Sequence, residues 1–257
     1  MATRAFLSVL KNNMIGFEVL SQYYDRFVGA DYDRIISFIC KYLEDASLVC
    51  DVGCGSGTVT LGLLEKGYDM IGIDGSIEML TIAMNKRADS SNGEKALFLC
   101  QQLPDFELYG TVDAIISTLD TINYLTDPAD LDQLFYWFRN YLNPKGLLIF
   151  DVNTLYKYQS LLDNHCDVYE DQDVFLTWRS SFENDLCNHQ LTYFCKNGSA
   201  YSRQDEEQQQ RYYSKEHIED LLKKYDFTVL GVFDDYTNNA PHNKTQRLTY
   251  VAIRSAL

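Results

Sequence analysis

One short stretch limits what this chain can fold into more than any other. Residues 48–59 read LVCDVGCGSGTV, and a second stretch ending IGIDGS follows at 71–76. In the first, an apolar run carries Asp51 near its end, and Gly53, Gly55 and Gly57 follow at alternate positions. Glycine belongs where the backbone takes positive φ or lies close to something else. A strand, a glycine-rich turn and a helix in succession form a ligand-binding unit at the carboxyl edge of a sheet. The second stretch places Asp74 seventeen residues past Gly57. A carboxylate there is in reach of a ribose, whose hydroxyls it accepts strongly.

The glycine spacing narrows the ligand. A dinucleotide fingerprint is Gly-x-Gly-x-x-Gly, whereas this chain has Gly-x-Gly-x-Gly, and no Gly-x-x-x-x-Gly-Lys-Ser/Thr loop occurs. Asp51 would repel a pyrophosphate and suits a cation. A ligand with a ribose and a positive charge is therefore expected. S-adenosylmethionine, with its adenosine, α-ammonium and sulfonium, meets both conditions.

The rest of the chain supports a doubly wound sheet. Residues 1–47 read as helices, with Asp31 capping the run DYDRIISFICKYL. Strands are expected at 48–52, 69–74, 96–100, 112–117 and 146–152. Helices near 57–66, 76–89 and 128–142 alternate with them. That alternation implies a parallel sheet covered on both faces. Residues 155–212 change character and read as an inserted antiparallel β-meander, with Asn197-Gly198 as a hairpin signal. A helix opened by Ser214 follows. Strands at 227–236 and 247–254 are joined by a loop too short for a crossover, so they pair antiparallel. The division is 1–154 with 213–257 as the main domain, and 155–212 as a subdomain for the acceptor pocket, a dimer contact or both.

Composition excludes some partners. The chain has 257 residues, 22 basic against 37 acidic, for a net charge of −15. Nucleic-acid affinity rests on Lys and Arg neutralising phosphates, so a nucleic-acid substrate is disfavoured, and so is an anionic membrane surface. No segment has the apolar length of a membrane helix. Seven cysteines, an odd number, fit reduced thiols in the cytoplasm better than a disulfide framework. Cys50 and Cys54, and Cys187 and His189, lack a second pair at zinc spacing, so no metal is expected.

DVGCGSGT followed by GIDGS resembles motifs one and two of the class I S-adenosylmethionine-dependent methyltransferases. VDAIISTLDTINYL resembles the family's fourth-strand motif, LNPKGLLIFDVNT the turn into its fifth strand, and 227–254 its reversed terminal hairpin. SQYYDRF with DYDRI, the insertion after FDVNTLYKY and the ending QRLTYVAIR resemble a bacterial small-molecule branch. That branch is related to the glycine and deoxysugar-amine N-methyltransferases.

The resemblance implies an α/β fold with seven strands in the order 3-2-1-4-5-7-6, strand 7 antiparallel. It also implies roles. Gly53, Cys54 and Gly55 would approach the methionine part and ribose, with Asp51 near the ammonium. Asp74 would hold the ribose hydroxyls, and Gly75, Ser76 and Met79 would pack by the adenine. Gln101 or Gln102 stands where the family usually has an acid toward the adenine amine. Leu119 would offer its carbonyl near the methyl end, and Tyr24 and Tyr32 resemble lid tyrosines. Asp120 and Tyr124 are the candidate catalytic pair, Asp120 as proton acceptor or amine-orienting group. Asn123 and Arg247 are candidates for the acceptor, which is expected to be a small-molecule amine or hydroxyl. S-adenosylhomocysteine would be the product, and the chain would act as a monomer or homodimer. A dehydrogenase, a non-catalytic cofactor-binding protein and an RNA or protein methyltransferase are the competing readings.

Overall fold

The computed structural model describes residues 19–90 and 92–256. The helical reading of residues 1–18 lies outside the described residues. Two helices lead, α1 (Leu20–Phe27) and α2 (Tyr32–Cys40). Asp31 caps α2 by accepting the Arg34 N–H at 3.0 Å. The alternating unit follows: β1 (Leu48–Val52), α3 (Thr58–Glu65), β2 (Asp69–Asp74), α4 (Ile77–Ala88), β3 (Ala96–Cys100), β4 (Val112–Ser117), α5 (Pro128–Tyr141) and β5 (Leu142–Asn153). Ser76 and Asp127 cap α4 and α5 through the amides of Met79 and Ala129. After a π-helical turn come β6 (His165–Asp171), β7 (Val174–Glu183), β8 (Leu186–Asn197) and β9 (Ala200–Arg211). The chain then returns through α6 (Lys215–Lys224), β10 (Phe227–Asp234) and β11 (Arg247–Arg254).

The main sheet has the order β10-β11-β5-β4-β1-β2-β3. It is parallel from β3 through β5, while β11 runs antiparallel to both β5 and β10. This is the expected 3-2-1-4-5-7-6 arrangement. Neighbouring residues on the central strands go to opposite cores, because strand side chains alternate. Val49, Ala114, Ile149 and Val251 join the core under α2 and α3. Cys50, Ile115, Leu148 and Ala252 join the core under α5 and α6. A strand buried on both faces is apolar over most of its length, and the buried carboxylates of β1 and β5, Asp51 and Asp151, lie toward the carboxyl ends.

The second sheet is an antiparallel meander, β6-β7-β8-β9. Its apolar face takes Val174, Leu176, Leu191 and Tyr193 against Leu20, Tyr23 and Phe27 of α1. Helix α1 therefore belongs to the packing of this sheet as much as to the main one.

Three boundaries differ from expectation. Strand β5 begins at Leu142, not 146: Leu142 pairs with Val112, and the ladder resumes only at Leu147 opposite Ala114. Residues 143–146 form a bulge holding Pro144, which has no N–H to give, and Lys145 at φ 66°. Strand β10 stops at Asp234 because Asp235 and Tyr236 turn to φ 44° and 59°, burying the Tyr236 ring. The hairpin tip is Gly198-Ser199, since Asn197 already pairs with Ala200. All seven cysteines are free. Among the described residues no helix is long and apolar enough to cross a membrane.

Candidate functional site

The carboxyl edge of the main sheet gathers the ends of β1, β2, β4 and β5. Because β11 is reversed, it contributes its first residue, Arg247, to the same edge. Gly53, Gly55 and Gly57 have φ of 77°, 53° and 74°, the left-handed region that favours glycine. A Cβ on Gly53 would lie 2.2 Å from the Thr121 side chain, so the loop after β4 packs directly on bare backbone. The amides of Gly53 and Cys54 donate to the Ile73 carbonyl at 2.8 and 2.9 Å. Asp74 closes the loop from the other side. Its Oδ2 accepts the Gly55 N–H at 2.9 Å and its Oδ1 the Ser76 N–H at 2.8 Å. Burial raises its pKa, and the amides of Ser76, Gly55 and Gly75 oppose that rise.

Asp51 is fully buried at the end of β1. Its Oδ2 accepts the Thr60 hydroxyl at 2.6 Å, while its Oδ1 has no hydrogen-bond partner. Burial pushes its pKa up to about 7, with the Thr60 bond opposing and the Asp74 charge adding. A buried carboxylate oxygen without a donor is costly, and a cation would relieve that cost.

A cavity of about 970 Å³ opens over this loop. Of the expected cofactor residues, Tyr24, Gly53, Gly55, Asp74, Gly75, Met79, Gln102 and Leu119 line it. Tyr32 and Cys54 line an adjoining crevice of about 30 Å³ between α1, α2 and the glycine loop. Ser76 stays behind the wall as the cap of α4. Of the two glutamines, Gln102 reaches the cavity, donating to the Gly75 carbonyl at 3.0 Å. Gln101 turns away, since its side chain accepts from the Glu107 N–H and donates to the Glu107 carbonyl.

The wall after β4 is built differently from expectation. Leu119 and Asp120 both have left-handed φ, 56° and 58°, although neither is glycine. Their amides donate to the two oxygens of buried Asp151, at 2.6 and 2.7 Å. Asp151 also accepts the Tyr236 hydroxyl and pairs with the Arg247 Nε at 3.1 Å. Asp120 is engaged in turn. Its Oδ1 takes Arg247 at 2.8 Å, and its Oδ2 takes amides of Gln210 and Asn153 at 2.6 and 3.1 Å. Burial would raise the Asp120 carboxyl, but Lys157 and Arg247 outweigh it and hold it below the usual range.

Asp120 and Arg247 therefore stand as an ion pair behind the cavity and are not part of its lining. Asn123 is also buried, its amide donating to the Arg211 carbonyl and its oxygen accepting the Asn153 N–H. It ties β9 to β5. Tyr124 does line the cavity, with its hydroxyl donating to the Gln208 Oε1 at 3.0 Å.

Sequence reasoning missed several residues. Asp151 sits at a strand end on the functional edge, as Asp51 and Asp74 do, and that position was its signal. Thr121, against Gly53, gave none. The meander presents its polar side to the cavity through Ser181, His189 and Gln208. His189 is buried and accepts the Trp178 indole N–H at 3.1 Å through Nδ1. Because indole only donates, the imidazole proton sits on Nε2. Burial lowers the His189 pKa to about 4, so the ring is neutral. The aromatic residues Tyr193 and Trp178 serve the meander's small core.

The Methyltransferase domain family matches residues 24–232. YqeM of Bacillus subtilis, which carries a methyltransferase name, is 31% identical over 243 residues, 93% of this chain and 97% of that protein. The crystal structure of an S-adenosylmethionine-dependent methyltransferase from Clostridium acetobutylicum is 32% identical. It superposes with a TM-score of 0.84 over 93% of this chain and 99% of that one. The sugar N-methyltransferase KedS8 from Streptoalloteichus, at 21% identity and a TM-score of 0.76, covers 94% of each chain and shares the fold. With the glycine loop, Asp74 and the reversed terminal strand in place, this chain belongs to the S-adenosylmethionine-dependent methyltransferases.

Proposed function

We propose that this enzyme methylates a small-molecule acceptor at an amine or a hydroxyl. The observation that carries this reading is the continuity of the cavity. One space of about 970 Å³ runs from Asp74 and Gly55 to the wall formed by Ser181, His189 and Gln208 of the meander. Cofactor loop and acceptor wall share it, and its volume suits two small ligands rather than a folded partner.

The residues present fit S-adenosylmethionine. Asp74 offers free lone pairs to ribose hydroxyls, and Gly55 leaves open space over its backbone, with nothing within 4 Å of where a Cβ would stand. The orphan Oδ1 of Asp51, which lies behind the cavity lining, suits an ammonium reached through water. When bound, the cofactor supplies a methyl group that its sulfonium has already made electrophilic. What the chain must do is position the acceptor and exclude water. Tyr124, Leu119 and Tyr24 would do so at the middle of the cavity. Asp120 acts through Arg247 and Gln210 as a positioning residue, which replaces its expected role as proton acceptor. The segment 155–212 supplies the acceptor wall.

Charge refines the acceptor. Among the described residues, the charged ones lining the cavity are Asp74, Asp105, Asp130 and Glu207, all acidic. That lining suits a neutral or cationic acceptor and opposes a phosphate or carboxylate. An amine agrees with the activity named for a glycine/sarcosine N-methyltransferase of Halorhodospira halochloris, 29% identical over 122 residues, 48% of this chain and 44% of that protein. Free thiols throughout support a cytoplasmic location.

The test has two parts. Calorimetric titration with S-adenosylhomocysteine should give binding that an Asp74→Ala variant weakens by about tenfold or more, the loss of a charge-assisted pair of hydrogen bonds. S-adenosylhomocysteine release should then be followed with a library of amines and polyols. Turnover on RNA or protein with none on the library would overturn the small-molecule reading.

A further inference from the structure

The Asp25 carboxylate fastens helix α1 to the glycine loop. The Asp25 Oδ1 accepts the hydroxyls of Ser56 at 2.8 Å, Tyr32 at 2.9 Å and Thr58 at 3.3 Å. Its Oδ2 accepts the Lys86 ammonium at 2.5 Å. Lys86 also donates to Thr58 Oγ1 at 2.7 Å and to Ser56 Oγ at 3.1 Å. The clasp joins α1, α2, the glycine loop with the start of α3, and α4.

Beneath the clasp lies the crevice of about 30 Å³, bordered by Tyr24, Tyr32, Ser56 and Thr58. That volume takes one or two waters, not the amino-acid arm of the cofactor. Three of the residues that bind Asp25 thus form the crevice wall, and neighbouring Tyr24 faces both crevice and cavity. The rest of α1 is held to the meander independently, from its first residue to its last, with Arg26 paired to Asp171 and Asp173. The Glu206 carboxylate accepts the amides of Val19 and Leu20, and Tyr23 and Phe27 pack into the core of the meander. Opening the clasp would leave that anchor in place.

We propose that Asp25, paired with Lys86, is the latch that closes α1 over the methionine end of the cofactor site and governs cofactor exchange. The latch is built to open. Its side chains are 33% and 34% exposed, and ion pairs so exposed add little to folding stability. A device of that kind affects the rate at which the crevice admits and releases a ligand more than it affects the fold. The proposal rests on the cofactor binding of the family.

The experiment is release of radiolabelled S-adenosylhomocysteine, chased with unlabelled ligand after rapid mixing. Wild type, Asp25→Asn and Lys86→Met are compared, and the melting temperature of each is taken without ligand. Loss of the charge-assisted contacts should speed release about tenfold in Asp25→Asn and several-fold in Lys86→Met. Ligand-free melting temperatures should stay within about 3 °C of wild type, as expected for an exposed pair. Release within about twofold of wild type in both variants, whatever their melting temperatures, would overturn the latch. If Asp25→Asn does not fold, Lys86→Met decides alone. A wild type that binds no S-adenosylhomocysteine would overturn the cofactor assignment and the latch with it.

Discussion

Asp51 holds two opposed demands in one side chain. It is buried at the end of β1 with one oxygen satisfied by Thr60 and the other without a donor. Its pKa of about 7 lies well above that of an unfolded aspartate. An acid raised in this way costs stability wherever the unfolded chain has ionised and the folded one has not. Ligand-free stability should therefore fall as pH rises from about 4 to about 7, then level off. Cofactor binding has the opposite slope. The proposed ammonium contact at Asp51 would favour its ionised form, so binding would expel a proton in the same window. Affinity for S-adenosylhomocysteine should rise about fivefold between about pH 6 and about pH 7, because a group of pKa near 7 must be deprotonated first. Asp51→Asn should flatten that dependence, and calorimetry in buffers of different ionisation enthalpy would count the released proton. A wild-type affinity independent of pH would place the ammonium elsewhere.

At the scale of elements, the loop after β4 shows how one carboxylate can hold a strained turn. Each non-glycine residue in the left-handed region costs about 1–2 kcal/mol, and Leu119 and Asp120 occupy it consecutively. They stay there because Asp151 accepts both of their amides. Asp151→Asn would turn an NH2 group toward one of those donors and leave Arg247 with one carboxylate fewer. Breaking such a buried charged arrangement typically costs about 3–5 kcal/mol, measurable by urea unfolding. Turnover should fall further than cofactor affinity, since Leu119 borders the methyl end of the proposed site. An unchanged stability would show that Arg247, Asp120 and Asp235 hold the loop without Asp151. The glycine loop, Asp74 and the strand order were legible because their signals are local: one strand end, one turn, one short spacing. Arg247 and Asp120 are 127 residues apart and meet at 2.8 Å only because β11 pairs antiparallel with β5 in a register that sets Arg247 opposite Asn153. Spacing along the chain carries no trace of that register, so Asp120 reads as a catalytic candidate and Arg247 as a candidate for acceptor contact. His189 and Gln208 were illegible for a related reason. They face the cavity only after β8 and β9 have paired and chosen which face to bury.

Across the whole molecule, charge and cavity point the same way. The net charge of −15 sets a negative field around the protein, and the cavity lining repeats that sign through Asp74, Asp105, Asp130 and Glu207. Arg247 and Lys157 stand close by, but both are committed. Arg247 pairs with Asp120, Asp151 and Asp235, and Lys157 donates to the Asn153 side chain at 2.8 Å. A concave site lined by one sign of charge focuses the field and concentrates ligands of the opposite sign. A cationic amine would be drawn in, while the same amine carrying a phosphate or carboxylate would be opposed. Salt should expose this effect. Raising ionic strength from about 0.02 M to about 0.3 M shortens the screening length from roughly 20 Å to below 10 Å. KM for a cationic acceptor should then rise several-fold at nearly constant kcat, because attraction to the site is lost and positioning within it is not. KM for a neutral polyol acceptor should change little. Glu207→Gln with Asp130→Asn should lower the salt sensitivity of the cationic acceptor in the variant. Steady-state kinetics at the two ionic strengths would settle the matter, and a salt response equal for neutral and cationic acceptors would mean that recognition depends on the amides and hydroxyls of the wall rather than on its charge.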